Sequence, residues 1–319
     1  MMSACDPDPG IDLISLIREA YSRIPAGMVS TYGDIAMALG DKRASRAVGD
    51  VLFRREQPPM VPFHRVVYST GEIGHGDMEA ERRAALLEME GLRVRNGRVQ
   101  DLDAVRFVDF GIEPVLVHLR AEQDGIASRA VLRDDPEEPT HIAGLDVSYQ
   151  GDDAFAAVSI MDRDSGEIVE ERTSRCTVRF PYIPTYLTYR ELPPLRSLVR
   201  DVPGTVYLVD GHGSLHPRRA GVASHIGVAM DVPTVGAAKS LLTGTVDNAD
   251  AEQSPIRLGG EVAGCMLRQG RKASFVSPGN RVSLQRAVAL CSETLQRGIP
   301  SPLRRAHELA NEKRREAYA

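Results

Sequence analysis

Three strand-like runs, HIAGLDVSY, AFAAVSIMD and EIVEERT, follow one another between residues 141 and 173, separated only by turns rich in Gly and Asp. Runs of that length joined by tight turns predict an antiparallel meander. Beyond them a helical pattern from about Thr185 to Arg200, a strand-like TVYLVD, a helical segment near SHIGVAMD and a strand-like PTVGAAK alternate. The meander is therefore expected to continue into a mixed sheet flanked by helices, an α/β domain. Upstream the pattern changes. Helical apolar spacing runs to Leu92, the polar stretch RVRNGRVQDLDAVRF reads as a connector, and the helical PVLVHLRAEQDGIASRAV leads through the acidic DDPEEPT to the first strand. At 319 residues the chain has room for two cores of ordinary size, expected over residues 1–107 and 108–319.

Several classes are disfavoured. There is no run of about 18 apolar residues, and no basic start followed by an apolar stretch, so the expectation is a cytoplasmic protein without a membrane partner. Cys5, Cys176, Cys265 and Cys291 form no C-x-x-C pair, which argues against a zinc site or a disulfide framework and for reduced thiols. With a net charge of −5, contact with nucleic acid must come from local patches.

Asp146 lies inside the apolar IAGLDVSY, where burying a carboxylate is unfavourable without a cation or hydrogen-bonding partners. Asp210 ends the apolar VYLVD and is followed by GHG. Two carboxylates on neighbouring strands suit a hard, oxygen-liganded ion such as Mg²⁺. Glu191, in the helical segment after PYIP, offers a third carboxylate. Taken singly, Lys239 reads as a strand-end lysine and His307 as a helix-surface histidine. In order, GLDVSY, FPYIPTYLTYRE, VDGHGSLHPRRAGVASHIG, PTVGAAKS, VSPGNRVS and SPLRRAHEL resemble endonuclease V from about Pro114 onward. The resemblance implies an RNase H-like fold and Mg²⁺-dependent hydrolysis of the second phosphodiester 3′ to deoxyinosine, leaving a 3′-hydroxyl and a 5′-phosphate, with Mn²⁺ as a substitute ion. It further implies metal ligation by Asp146, Asp210 and Glu191, and catalytic roles for Lys239 and His307. Tyr182, Ile183 and Pro184 would form a strand-separating wedge, and His216 with Arg218 and Arg219 would contact phosphate. Thr185, Leu187, Gly211 and Gly221 would supply the base pocket, with Thr185 standing where the family often has glycine.

The N-terminal part carries a second set of motifs. IPAGMVSTYGDIAMALG has a Pro-containing turn, Ser30 and Thr31 as caps, and Ile35, Ala36 and Leu39 on one helical face. DKRASRAVGDVLFRRE places Arg43 and Arg46 near the start of a slim helix able to approach a DNA backbone or groove. Together with VPFHRVVYSTGEIG and ERRAALLEMEGLRV, these resemble the winged-helix domain of the O6-alkylguanine-DNA alkyltransferases over Ile11 to Val94. The family's active P-C-H-R-V reads P-F-H-R-V here, with Phe63 at the cysteine position, so the match is to alkyltransferase-like proteins that bind alkylated DNA without accepting the alkyl group. Transfer needs a thiolate, and a phenyl ring has none. The resemblance implies that Arg46 fills the stack left by an extruded base, that Tyr32 crowds the phosphate, and that Pro62 to Arg65 line the pocket. His64 and Glu90 match residues that activate the family's cysteine, and Gly76 stands in place of its lesion-pocket tyrosine.

The expected protein is a DNA repair endonuclease fused to a silent reader of alkylated bases, with damaged DNA as partner. Alternatives are a wholly non-catalytic damage sensor serving other repair proteins, and an inosine-directed ribonuclease acting on RNA.

Overall fold

A computed structural model of the chain describes residues 3–4, 10–53, 61–74 and 78–319. By internal contacts it divides into two compact units, one of Ile11–Arg120 with Arg179–Pro184, the other of Met1–Gly10, Ala121–Val178 and Thr185–Ala319. The chain opens with β1 (Ser3–Ala4), which joins the sheet of the larger unit.

In the smaller unit, α1 (Leu13–Ser22) is capped by Asp12, whose carboxylate accepts from Ser15 N, and buries Leu13, Ile14, Ile17, Ala20 and Tyr21 along one face. β2 (Ser30–Thr31) runs into α2 (Tyr32–Ala38), where Thr31 and Asp34 cap each other reciprocally. Next come α3 (Ser45–Leu52), β3 (Val66–Val67) parallel to β2, α4 (Met78–Met89), the hairpin of β4 (Val94–Arg95) and β5 (Arg98–Val99), and the short α5 (Leu102–Val105). Val29, Val67, Ile73, Leu87, Leu92 and Val99 form a shared core. Residues 96–111, expected as a connector, are folded onto this unit. Val29 N donates to Val105 O at 2.9 Å, Phe107 N donates to Val29 O at 2.8 Å, and Arg23 donates to the carbonyls of Phe110 and Gly111 at 2.7 and 2.9 Å. Two-residue strands are too short to show periodicity, so the polar composition of the stretch concealed them.

A polar tie holds the unit together beside Phe63. The Glu90 carboxylate accepts from His64 Nε2 at 2.8 Å, from Arg65 Nη2 at 2.6 Å and from Gly27 N at 3.1 Å. Burial alone would raise its pKa, but the hydrogen bonds from Arg65, His64 and Gly27 outweigh burial and lower it to about 2.

α6 (Val115–Arg129) is divided between the two units after Arg120; in the larger unit it precedes β6 (His141–Gln150), β7 (Asp153–Asp162) and β8 (Ile168–Thr177), which form the expected meander. Then follow α7 (Thr188–Arg196), β9 (Thr205–Val209), α8 (Val222–Met230), β10 (Thr234–Ala238), β11 (Thr245–Val246), β12 (Gln253–Leu258), β13 (Glu261–Gln269), β14 (Lys272–Asn280), α9 (Leu284–Glu293) and α10 (Ser301–Ala317). Among the described residues these strands form one sheet in the order β1-β8-β7-β6-β9-β10-β14-β13-β12-β11, with β6, β9 and β10 parallel at its centre. One face packs through Ile142, Leu208, Val235, Leu290 and Leu303, the other through Leu145, Leu195, Val209 and Ile226. The helix expected from Thr185 begins only at Thr188, because Thr185 adopts φ +72°, a left-handed conformation that no helix continues. Cys265 and Cys291 are buried thiols outside any disulfide and Cys176 is partly exposed, while Cys5 lies outside the described residues. Among the described residues no helix is long and apolar enough to cross a membrane.

The approach of α10 to β6 depends on Gly144. A Cβ there would lie 2.3 Å from the carbonyl of Pro302. Gly144→Val is therefore expected to destabilise the larger unit by about 1–3 kcal/mol through overpacking, read by urea denaturation; an unchanged midpoint would contradict this contact. For the smaller unit, the Glu90 tie contributes stability that is complete above the ordinary value of 4.5 and is lost as pH falls from there toward about 2. Glu90→Gln should flatten the acid slope of that unit's melting temperature across this window, and a slope equal to wild type would refute the assignment.

Candidate active site

Strand register brings the carboxylates together. Leu145 pairs with Val209, and Val209 with Gly236, so Asp146 and Asp210 stand side by side on parallel neighbours, linked by Asp210 N donating to Leu145 O at 3.1 Å. Alternation along β10 then points Lys239, just past its end, to the same face. Its ammonium donates to Asp210 Oδ2 at 2.5 Å. On β6 the same face carries Gly144, Asp146 and Ser148, and α10 lies against it. His307 of α10 is thereby set against Asp146, Nδ1 to Oδ2 at 2.5 Å. One ligand atom from each of Asp146, Asp210 and His307 lies within 4.8 Å of the others.

Glu191 lies on α7, which packs on the opposite face of the sheet; it feels the charges of Asp146 and Asp210 but is not among the residues whose ligand atoms converge within 4.8 Å. Tyr149 steadies that helix's first turn: its hydroxyl donates to Arg190 O at 3.2 Å, and the Arg190 guanidinium lies 4.0 Å from its ring centroid. Burial, and then the charges of Asp146 and Asp210, push the Glu191 carboxyl well up. Asp210 is raised by burial and by Asp146, with Lys239 opposing. Crowded carboxylates of this kind repel one another unless a positive charge joins them. Carboxylate oxygens at these separations fit a hard divalent cation.

Around Thr185 a second network forms. Its carbonyl accepts from Gln123 Nε2 at 2.8 Å, His216 Nε2 at 3.1 Å and Arg218 Nη2 at 3.3 Å, and its hydroxyl lies 3.0 Å from Arg218 Nη2. These bonds hold a backbone conformation that costs about 1–3 kcal/mol in a non-glycine residue. Arg218, partly exposed, also donates to Gln123 Oε1 at 2.7 Å. Arg219 donates to Leu258 O. Leu187 caps α7 and is partly buried against the sheet core. Gly211 follows Asp210, and a Cβ on Gly221 would lie 2.1 Å from His212 O, so the backbone there admits only glycine. Of the wedge residues, Tyr182 is exposed, Pro184 partly so and Ile183 fully buried; all three fall with the smaller unit by their contacts.

In the smaller unit, Phe63 sits in a one-turn 3₁₀ helix of residues 63–65, partly exposed, with the Arg82 guanidinium 5.5 Å from its ring centroid. Tyr32 begins α2 and packs edge-on to Tyr68, and Arg46 is exposed on α3. Gly76 lies outside the described residues. His64 and Glu90 remain bonded to each other, but Glu90 is also taken by Arg65 and Gly27, a structural arrangement.

Three residues near the larger site escaped the sequence reading: Ser148, Asn311 and Gln123. Ser148 is two positions from Asp146 on the same strand face, and Asn311 is one helical turn beyond His307, spacings that mark both as neighbours of the site. Gln123 carries no such signal; it reads as an ordinary helical glutamine and is fully buried.

Comparison with known proteins identifies the families of both parts. The family model for endonuclease V matches residues 124–308, and that for the DNA-binding domain of 6-O-methylguanine DNA methyltransferase matches residues 15–92. A bifunctional methyltransferase/endonuclease of Picrophilus torridus is 36% identical, over 93% of this chain and 95% of its own. A bifunctional methyltransferase-like/endonuclease of Nanoarchaeum equitans is 32% identical, over 74% of this chain and 72% of its own. The crystal structure of endonuclease V from Streptomyces avermitilis superposes with a TM-score of 0.58 at 33% identity, covering 64% of this chain and 94% of that one. The chain thus belongs to the endonuclease V family, metal-dependent nucleases of DNA repair with an RNase H-like fold, and carries that nuclease fused to an alkyltransferase-like DNA-binding domain.

Proposed function

We propose that the larger unit hydrolyses the second phosphodiester 3′ to deoxyinosine in DNA, leaving a 3′-hydroxyl and a 5′-phosphate, with Mg²⁺ as the working ion and Mn²⁺ as a substitute. The observation that carries this reading is the convergence of Asp146, Asp210 and His307 within 4.8 Å, beside Lys239. Asp146 and Asp210 would hold the ion, with Glu191 joining directly or through water. Bound there, Mg²⁺ would neutralise charge developing on the phosphate. Lys239, with its side chain 45% exposed, is free to lean from Asp210 toward a phosphate oxygen or the attacking water. His307 would orient the nucleophile through Asp146. The backbone of Thr185, Leu187, Gly211 and Gly221 supplies fixed donors and acceptors for hypoxanthine, and His216 and Arg218 serve it by holding Thr185. Tyr182 leads the wedge, because its ring is open to solvent and unstacking a base step requires a flat, stiff side chain. The intact carboxylate set speaks against a purely non-catalytic sensor, since crowding three carboxylates is unfavourable without a cation to bind.

The smaller unit, on this reading, binds O6-alkylguanine DNA without accepting the alkyl group. Position 63 carries no thiolate, and burial pushes the thiols of Cys265 and Cys291 up, away from the nucleophilic form.

Asp146→Ala and Asp210→Ala should each slow nicking of an inosine-containing duplex in Mg²⁺ by on the order of 10²–10³-fold or more, with DNA binding retained. Ca²⁺ should support binding without turnover, its looser coordination placing the nucleophile poorly. Either variant nicking at the wild-type rate would remove the metal assignment, and a wild-type protein that nicks in neither Mg²⁺ nor Mn²⁺ would favour the sensor. With O6-[methyl-³H]methylguanine DNA, the protein should bind but carry no covalent label. Arg46→Ala should weaken that binding roughly tenfold, equivalent to about 1.4 kcal/mol. Label recovered on any cysteine, or unchanged affinity in the Arg46 variant, would overturn the reader assignment.

A further inference from the structure

The face of β6 beneath α10 is occupied at every second residue. Gly144 meets Pro302, Asp146 bonds His307, and Ser148 bonds Asn311. The match has a simple cause: two residues of strand advance about 6.7 Å and four of helix about 6 Å, so the pair four apart on the helix meets the pair two apart on the strand.

The bonds along this line determine one another. Asn311 Nδ2 lies 2.8 Å from His307 O, a group that only accepts, so the amide nitrogen is on that side. Its oxygen then faces Ser148 Oγ at 3.0 Å, and the serine hydroxyl donates. The second hydrogen on Asn311 Nδ2 points to His307 Nε2 at 3.2 Å, which must accept. A neutral imidazole that accepts at Nε2 carries its proton on Nδ1, the nitrogen facing Asp146 Oδ2. Both ring nitrogens are thereby engaged.

We propose that Ser148 and Asn311 are positioning residues that lock His307 in its Nδ1–H form, making it a hydrogen-bond donor to the Asp146 carboxylate and not itself a metal ligand. The lock fixes the orientation of Asp146, which also accepts from Val147 N at 2.9 Å, leaving its remaining lone pairs for the cation. The consequence for cleavage rests on the nuclease reading above; the tautomer does not.

The test uses the full chain, stripped of metal and ¹⁵N-labelled, with the His307 ring identified in long-range ¹H–¹⁵N correlation spectra by its loss in His307→Gln. Wild type should show the Nδ1–H pattern. Asn311→Asp, nearly identical in shape, replaces the donor with an acceptor and should place a proton on Nε2 while Nδ1 keeps the one it gives to Asp146; it should also lower the Mg²⁺-dependent nicking rate about 10–100-fold with DNA binding retained. Ser148→Ala should lower nicking less, because the Asn311 contact to His307 O survives. An Nε2–H wild type, an Nε2 that stays unprotonated in Asn311→Asp, or a protonated Nε2 with unchanged nicking would each overturn the proposal. Wild-type protein that shows the Nδ1–H pattern but nicks no inosine duplex would uphold the lock and refute the nuclease reading instead.

Discussion

Two like charges held side by side in a protein interior are unstable unless the surroundings answer them, and the larger unit is organised around that problem. Parallel pairing of β6 with β9 forces Asp146 beside Asp210, and burial raises the cost of ionising Asp210. The answers come from two directions: Lys239 arrives from β10 on the same sheet face and His307 from α10 above it, while Glu191, on the helix of the other face, adds a carboxylate and sharpens the demand for a cation. None of these elements can shift without changing the charge balance, which makes the sheet centre and the cation-binding function a single construction.

The packing that permits this is as strict as the electrostatics. The absence of a side chain at Gly144 lets α10 lie on β6, and that close approach puts His307 within bonding distance of Asp146. Gly221 plays a similar part for the loop after β9, where its backbone meets that of His212 and Gly213. Thr185 is the contrasting case. A non-glycine residue sits in a left-handed conformation, and Gln123, His216 and Arg218 together supply the hydrogen bonds that hold it there. An arginine whose motif suggests a phosphate contact also braces this turn through Thr185 and Gln123.

The smaller unit shows what remains when a nucleophile is lost but its setting is kept. Glu90 and His64 still touch, yet Arg65 and Gly27 bind the same carboxylate, so the group anchors a turn and two helices whether or not any chemistry follows. This gives a physical reason for the setting to outlast the thiol.

Much of this was legible in the chain itself. Carboxylates inside apolar strand runs are unfavourable enough to announce Asp146 and Asp210, the meander was written in turn spacing, and the motif order disclosed both families and the missing thiol at Phe63. Local pattern could not disclose what depends on distant residues meeting. The hairpin of residues 94–99 is too short to have a period, and Thr185 delays its helix because of a backbone angle stabilised by side chains more than thirty positions away in one direction and sixty in the other. Ser148, Asn311 and Gln123 are ordinary in sequence and acquire meaning only when helix rise and strand rise bring them to their partners. Residue types and periodicity determined which groups this protein has to accommodate; only the packing of helix on sheet decided which atoms of those groups face each other.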